Sequence, residues 1–279
     1  MKIAVASGKG GTGKTTVSLA LALSADRPVQ LLDCDVEEPN CHIFIKPEIT
    51  HTESVSVPVP VVDASKCTAC GDCSKICRFN AIVTLGSKVM VFREMCHSCG
   101  GCVKVCPQNA ISEVDSKIGI LEFGSADGVD FIYGKLDVGQ AMSPPLIRAV
   151  KKHADNSKTI IIDCPPGTSC PVITAVRDSN FVILVTEPTP FGLNDLRLTV
   201  ETVRELDIPF GVIINRVGIG DDRVLKYCQD EKLLILTAIL EDRRIAEEYS
   251  RGGTLIQAFP ELKEEFAELL NGIVSGALR

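Results

Sequence analysis

Gly8-Lys9-Gly10-Gly11-Thr12-Gly13-Lys14-Thr15-Thr16 is the stretch on which the reading of the whole chain turns. A short apolar run, Ile3-Ala4-Val5-Ala6, precedes it, and residues with helical spacing, Thr15 to Ala25, follow it. The string fits G-x-x-x-x-G-K-S/T in the strand–loop–helix setting that gives the pattern its meaning. Glycines there let backbone N–H groups turn inward around nucleotide phosphates, and the positive end of the next helix faces the anion. Lys14 is placed to reach the phosphates and Thr15 to give its hydroxyl to Mg²⁺. The nucleotide-contacting set is therefore Gly8, Gly10, Gly11, Thr12, Gly13, Lys14, Thr15 and Thr16.

Outward from this loop, further apolar runs recur at Val29–Leu32, Ile160–Ile162, Phe181–Val185, Val212–Ile214 and Leu233–Leu236. Runs this short and this continuous suit strands buried on both faces. Helical spacing separates several of them, at Pro145–Ala154 and Asn194–Leu206, and a last helix is expected from Pro260 to about Leu270. Strand–helix alternation predicts an α/β fold, a mostly parallel sheet with helices on both faces. Two runs end in carboxylates, Asp33-Cys34-Asp35 and Asp163. At the C-terminal edge of a parallel strand an Asp points into the ligand crevice, where it can hold the Mg²⁺ shell, orient water, or simply cap a turn. Residues 112–140 resist assignment.

Thirteen cysteines stand in the chain, and eight fall between Cys67 and Cys106. The sequence opens without a signal-peptide apolar region, so a reducing cytoplasmic setting, low in oxygen, is expected, and dense cysteine there reads as metal ligation. The spacing is Cys67-x2-Cys70-x2-Cys73-x3-Cys77, repeated as Cys96-x2-Cys99-x2-Cys102-x3-Cys106-Pro107. This is the two-cluster bacterial ferredoxin signature, in which the fourth cysteine of each repeat serves the other cluster. One 4Fe–4S cluster is expected on Cys67, Cys70, Cys73 and Cys106, the second on Cys77, Cys96, Cys99 and Cys102. Zinc ribbons pair their cysteines and lack the repeated x3 cysteine. The repeats differ after the fourth ligand, where Arg78 stands in place of Pro107. The expected organisation is a discontinuous P-loop domain, residues 1–60 and 112–279, with a ferredoxin-like insert at 61–111, introduced by Val57-Pro58-Val59-Pro60. Cys34, Cys41, Cys164 and Cys228 read as packing residues, and His51, His97 and His153 show no partner chemistry.

The second lysine of the loop, Lys9, makes the order Lys-Gly-Gly-Thr-Gly-Lys-Thr-Thr resemble the deviant Walker A ATPases of the MinD/Mrp superfamily, which includes ParA-type ATPases and the nitrogenase iron protein. Asp35, Asp163 with Pro-Pro-Gly, and Asn215-Arg216 match in order, over residues 1 to about 50 and about 112 to 279. The resemblance implies a dimer closed by ATP, homodimeric or paired with a paralogue, in which Lys9 reaches the partner's nucleotide as an arginine finger does. It implies further that Asp35 orients water, Asp163 serves Mg²⁺, and Asn215 with Arg216 contacts the base. Cys170, seven residues after Asp163, matches the offset of a cluster ligand in the nitrogenase iron protein and could face its copy across the dimer; a structural role competes with that.

The net charge of −7, pI near 5.2 and 5% aromatic content argue against nucleic acid as a partner. The acidic face of the last helix argues against a membrane-binding role. Three functions remain. The first is an ATPase that couples dimer closure to electron transfer through two 4Fe–4S clusters, toward a redox or cluster-acceptor protein. The second is an ATPase for assembly or carriage of such clusters, and the third a positioning ATPase.

Overall fold

Ile3 and Val5 project to one side of their strand, Ala4 and Ala6 to the other, and all four are fully buried. Apolar residues on both faces demand helices on both faces, and the chain supplies them. The computed structural model describes residues 1–278. In chain order the elements are β1 (Lys2–Ala6), α1 (Lys14–Ser24), β2 (Val29–Asp33), α2 (Cys41–Ile45), β3 (Glu48–Val62), α3 (Asp72–Ile76), β4 (Ile82–Leu85), β5 (Lys88–Val91), α4 (Gly101–Lys104), β6 (Ile111–Ala126), β7 (Val129–Leu136), α5 (Pro144–Lys152), β8 (Thr159–Asp163), α6 (Cys170–Val176), β9 (Phe181–Thr186), α7 (Pro190–Glu205), β10 (Phe210–Val217), α8 (Arg223–Asp230), β11 (Ile235–Leu240), α9 (Arg243–Ser250), α10 (Leu255–Ala258) and α11 (Leu262–Ser275).

Nine strands form one sheet in the order β11-β10-β9-β1-β8-β2-β7-β6-β3. The run from β11 to β7 is parallel, while β6 and β3 are antiparallel additions at one edge. One core layer lies under α5, α6, α7 and α8, built on residues such as Leu146, Leu196 and Val200. The other lies under α1 and α11, built on residues such as Leu21, Phe131 and Phe266. The last helix buries Phe266, Leu269, Leu270 and Ile273 there, so it is a core element. No helix among the described residues is long and apolar enough to cross a membrane. Strand β11 begins at Ile235, two residues later than the apolar run suggests. Leu233 donates its N–H to Cys228 O at the end of α8, and Lys232 takes a left-handed φ of 53°.

Val57–Pro60, expected as a lead-in, is part of β3. Proline is tolerated because β3 is the edge strand and needs no N–H on its free side. The unassigned stretch 112–140 holds β6 and β7. Strand β6 pairs with β7 only over Gly119–Ala126, whereas it pairs with β3 from Ile111 onward. The ends of β3 and β6 therefore project past the sheet as a two-stranded arm, which departs near the register shift at Val55/Ser56. Residues 63–110 hang from the arm, with Cys73 and Ile82 packed in a small core against Ile111 at the start of β6, and with their own β4–β5 hairpin.

Candidate functional site

The loop between β1 and α1 wraps over the C-terminal ends of the central strands. Gly11 and Gly13 take φ of 79° and 95°, open only to residues without the Cβ penalty. A Cβ on Gly13 would meet Asn215 Nδ2 at 2.2 Å, and one on Gly8 would meet the Asp195 carbonyl at 2.5 Å. On Gly10 and Gly11 it would meet nothing within 4 Å. The loop is thus packed against the protein at its ends and open in the middle, on the side a phosphate chain needs. Thr12 and Lys14 are buried. Ser7 anchors the loop twice, through Oγ to Lys9 O at 2.6 Å and through its carbonyl to Gly167 N–H at 3.0 Å.

Asp163 ends β8 below this loop. It accepts from Thr15 Oγ1 and Ser18 Oγ, each at 2.8 Å, and from the Cys41 thiol at 3.5 Å. Thr15 and Asp163 are therefore together, as a shared Mg²⁺ shell requires. The β2–β8 register sets Asp33 opposite Asp163. Asp33 accepts the N–H groups of Asp35, Asn40 and Cys41, each at 3.1 Å, so it is the anchor of the turn that carries Asp35. Burial, then the charge of Asp163, pushes the Asp33 carboxyl above the ordinary carboxylate range; burial raises Asp163 too, against the Thr15 hydrogen bond, the Lys14 charge and the Ser18 hydrogen bond. Burial and the Asp163 charge also push Asp35 up, to about 7. The ligand atoms of Asp33, Cys41 and Asp163 lie within 4.8 Å of one another, which makes the Cys41 thiol a neighbour of the cation position. His42, next in sequence, stacks on Tyr133 instead.

Lys9 bends back within its own chain to an ion pair with Glu187, which sits just past the end of β9. Glu187 is 7% exposed and has a second cation, Arg216, at 3.7 Å. Asn215 is turned toward the loop: its Nδ2 donates to Thr12 O at 2.8 Å and its Oδ1 accepts from Arg216 N–H at 2.9 Å. Thr16 Oγ1 lies 2.5 Å from Tyr249 Oη on α9. Cys170 opens α6 and is exposed.

The eight clustered cysteines divide between two cavities. One is lined by Cys67, Cys70, Cys73 and Cys106. The other is lined by Cys77, Cys96, Cys99 and Cys102. The two repeats share their backbone. Ala69 and Ser98 take φ of 54° and 52°, Gly71 and Gly100 φ of 87° and 67°, and Asn80 and Asn109 φ of 53° and 47°. Left-handed Ala69 and Ser98 aim their N–H groups at Cys67 Sγ and Cys96 Sγ, each at 3.4 Å, and Ala110 N–H reaches Cys106 Sγ at 3.3 Å. Amide donors to sulfur favour a thiolate over a thiol.

The sequence profile of the CobQ/CobB/MinD/ParA nucleotide binding domain family matches residues 3–255. The chain belongs to this family. Uncharacterized protein MJ0579 of Methanocaldococcus jannaschii is 31% identical over 281 residues, spanning 99% of this chain and 98% of that protein. The iron-sulfur cluster carrier protein of Aquifex aeolicus is 24% identical, spanning 93% of this chain and 62% of that protein. The fold is that of the septum site-determining protein MinD of Pyrococcus horikoshii, complexed with Mg-ADP (TM-score 0.58, 20% identity, 100% of this chain and 98% of that one). As a CobQ/CobB/MinD/ParA member the chain is a ParA/MinD-type P-loop nucleotide-binding protein. Within that setting, Glu187 and Ser18 are site residues that sequence reasoning passed over. Glu187 carried the same signal as Asp163, a carboxylate closing an apolar run. Ser18 lies one helical turn beyond Lys14 and faces Asp163 for that reason.

Proposed function

We propose that this chain is an ATP-hydrolysing iron–sulfur protein in which MgATP-driven pairing of two chains is coupled to electron transfer through two 4Fe–4S clusters. The observation that carries the reading is the joint presence, in one chain, of a family P-loop and two cavities each lined by four cysteines. Four thiolates per cavity, spaced as in the bacterial two-cluster signature, suit cubane iron–sulfur ligation. Cys67, Cys70, Cys73 and Cys106 would hold one cluster, and Cys77, Cys96, Cys99 and Cys102 the other, within a module spanning residues 61–111. The bound clusters would supply one-electron redox chemistry.

The chain's own groups do the rest. Loop N–H groups and Lys14 hold the phosphates, while Thr15 and Asp163 hold Mg²⁺. Asp35, at the rim of the buried carboxylates, positions the attacking water. Lys9 stabilises charge on the transferred phosphoryl of a partner copy, and Asn215 with Arg216 borders the base. Divalent charge at Asp163 would favour the ionised form of the raised Asp33 and Asp163 carboxyls, so cation binding should release protons.

The test is redox titration by EPR on anaerobically purified protein, with no nucleotide, with MgADP, and with a non-hydrolysable MgATP analogue. Wild-type protein should carry ~8 irons per chain, and the potentials or the coupling between clusters should change with nucleotide. Potentials indifferent to nucleotide, together with electron transfer indifferent to it, would sink the coupling. A second reading, cluster assembly or carriage, draws support from the similarity to a protein named as an iron-sulfur cluster carrier. It predicts cluster delivery to an apo-acceptor that is lost in Cys170→Ala but kept when ligands of the two cavities are changed.

A further inference from the structure

Cys67, Cys70, Cys73 and Cys77 recur 29 residues later as Cys96, Cys99, Cys102 and Cys106. The same offset carries Ala81 to Ala110 and Ile82 to Ile111, all four buried, and it carries Thr84 to Glu113. This last pair breaks the likeness of the two halves. Thr84 Oγ1, on β4, is buried and makes no hydrogen bond of full geometry. It stands near Cys73, whose thiol burial holds up while the Ser74 N–H and the Thr84 hydroxyl favour the thiolate. Glu113, on β6, lines the cavity of Cys77, Cys96, Cys99 and Cys102, its Oε1 3.6 Å from where a Cβ on Gly100 would stand. Burial first, and then the charges of Cys99, Cys77 and Glu113, hold the Cys96 thiol up against the Ser98 N–H.

Glu113 makes no ion pair among the described residues, so its charge is uncompensated. The first cavity also has a carboxylate near a ligand, Asp72, which accepts from Cys70 Sγ at 3.7 Å, but Asp72 is paired with Lys75 at 3.1 Å. Arg78, which follows Cys77, is exposed and lines neither cavity. Amide donors differ in the same sense. In the first cavity Ala69 N–H reaches Cys67 and Ala110 N–H reaches Cys106. In the second, Ser98 N–H reaches Cys96, but the N–H of Ala81, the counterpart of Ala110, makes no bond to Cys77. Reduction adds a negative charge to a cluster. A neighbouring carboxylate opposes that charge, and donors to the sulfurs favour it.

We propose that Glu113 sets the reduction potential of the cluster on Cys77, Cys96, Cys99 and Cys102 below that of the cluster on Cys67, Cys70, Cys73 and Cys106, so that electrons within the insert run from the former to the latter. The proposal rests on the cluster reading of the two cavities. One electron moves per step: the cluster beside Glu113 is oxidised by one, the cluster beside Thr84 is reduced by one, and no bond is made or broken. Cys96 also lines a groove with Gln140, Met142 and Pro145 of the nucleotide-binding body. The stronger reductant is therefore the one that adjoins that body.

The experiment is an EPR redox titration of the full chain, anaerobic and at pH 8, with the iron content of every variant measured first. Wild type should be reduced in two resolved one-electron steps. Glu113→Gln should raise the lower potential by about 59 mV, a tenfold change in that one-electron equilibrium, and leave the higher potential where it was. Glu113→Asp, which keeps the charge, should keep the two steps apart. Thr84→Val, which removes the hydroxyl and keeps the shape, should lower the higher potential by about threefold in its equilibrium and leave the lower one unmoved. A loaded wild-type chain with one potential for both clusters overturns the inference alone. So does a loaded Glu113→Gln chain that titrates as wild type, or one in which the higher potential moves instead. A wild-type chain that holds no iron overturns the cluster reading, and the inference with it.

Discussion

At the scale of single residues the most consequential contact is Lys9 with Glu187. The lysine to which the proposed function gives a neighbouring chain's nucleotide is here held in its own chain, by a carboxylate that is itself buried. To cross, Lys9 must give up Glu187, which would be left with Arg216 at 3.7 Å. Lys9 remains one-third exposed, so solvent screens the pair and its worth is roughly 1 kcal/mol. Two such pairs are released when two chains join, about 2 kcal/mol in all, so Glu187→Gln should strengthen ATP-dependent self-association about thirtyfold, read by sedimentation with a non-hydrolysable analogue. Lys9→Ala should retain nucleotide binding and lose hydrolysis. Equal association of wild type and Glu187→Gln would show that the ion pair does not restrain Lys9.

The buried carboxylates give a second residue-scale expectation. Asp33 is pushed from its ordinary 3.8 to about 8 by burial and by Asp163. Below about pH 4 both folded and unfolded chains keep that proton. Between about 4 and 8 the unfolded chain releases it and the folded chain does not, so stability falls as pH rises through this window. The melting temperature of nucleotide-free protein should decline across it, and less steeply in Asp163→Asn, where the opposing charge is gone. A melting temperature that rises from pH 5 to 8 would refute the raised Asp33 carboxyl.

Among elements, the cysteine loops show how much backbone strain the two cavities demand. Ala69 sits at φ 54° and Ser98 at 52° so that each N–H reaches a cysteine sulfur. The left-handed region costs a non-glycine residue ~1–2 kcal/mol. Ala69→Gly should accordingly keep the iron content and stabilise the loop by up to ~1 kcal/mol, whereas β-branched Ala69→Val should lose iron from the first cavity before the second. Iron analysis with EPR distinguishes the two. These loops were legible in the sequence because their information is local: ligand spacing, glycine at 71 and 100, and the repeat itself. The P-loop was legible for the same reason. The arm was not. Ser54-Val55-Ser56-Val57-Pro58-Val59-Pro60-Val61 alternates as a strand should, but its prolines read as a linker, and only pairing with residues more than fifty positions away makes it an edge strand. Lys9–Glu187 was hidden likewise, by a separation of 178 residues.

Across the whole molecule, the proposed coupling needs a route by which a nucleotide at the phosphate loop is felt at the cysteines. The chain after Asp163 passes through Pro165-Pro166-Gly167, where Gly167 touches the P-loop at Ser7, and then enters α6. Lys151 of α5 donates to the carbonyls of Thr174 and Ala175 at 2.8 Å and of Arg177 at 2.5 Å, so the far end of α6 is tied to α5. At the start of α5, Gln140, Met142 and Pro145 share a groove with Arg93, Glu94, Cys96, His97 and Ser98, the loop that carries Cys96 of the second cavity. Packed and hydrogen-bonded elements therefore run from the phosphate loop to Cys96, and Lys151 supplies the charged tie between α5 and α6. Packing alone does not make a path transmit; a shared displacement must. Lys151→Met keeps the aliphatic stem and removes the tie. It should cost ~1–3 kcal/mol of stability from the carbonyls left without their donor, and should leave ATP hydrolysis within about twofold of wild type. The nucleotide-dependent change in the EPR potential of the second cluster should vanish, while Lys151→Arg, which can still donate, keeps it. Potentials that respond to nucleotide as in wild type, in a folded and loaded Lys151→Met protein, would mean that the signal travels through the β3–β6 arm and not through the helices.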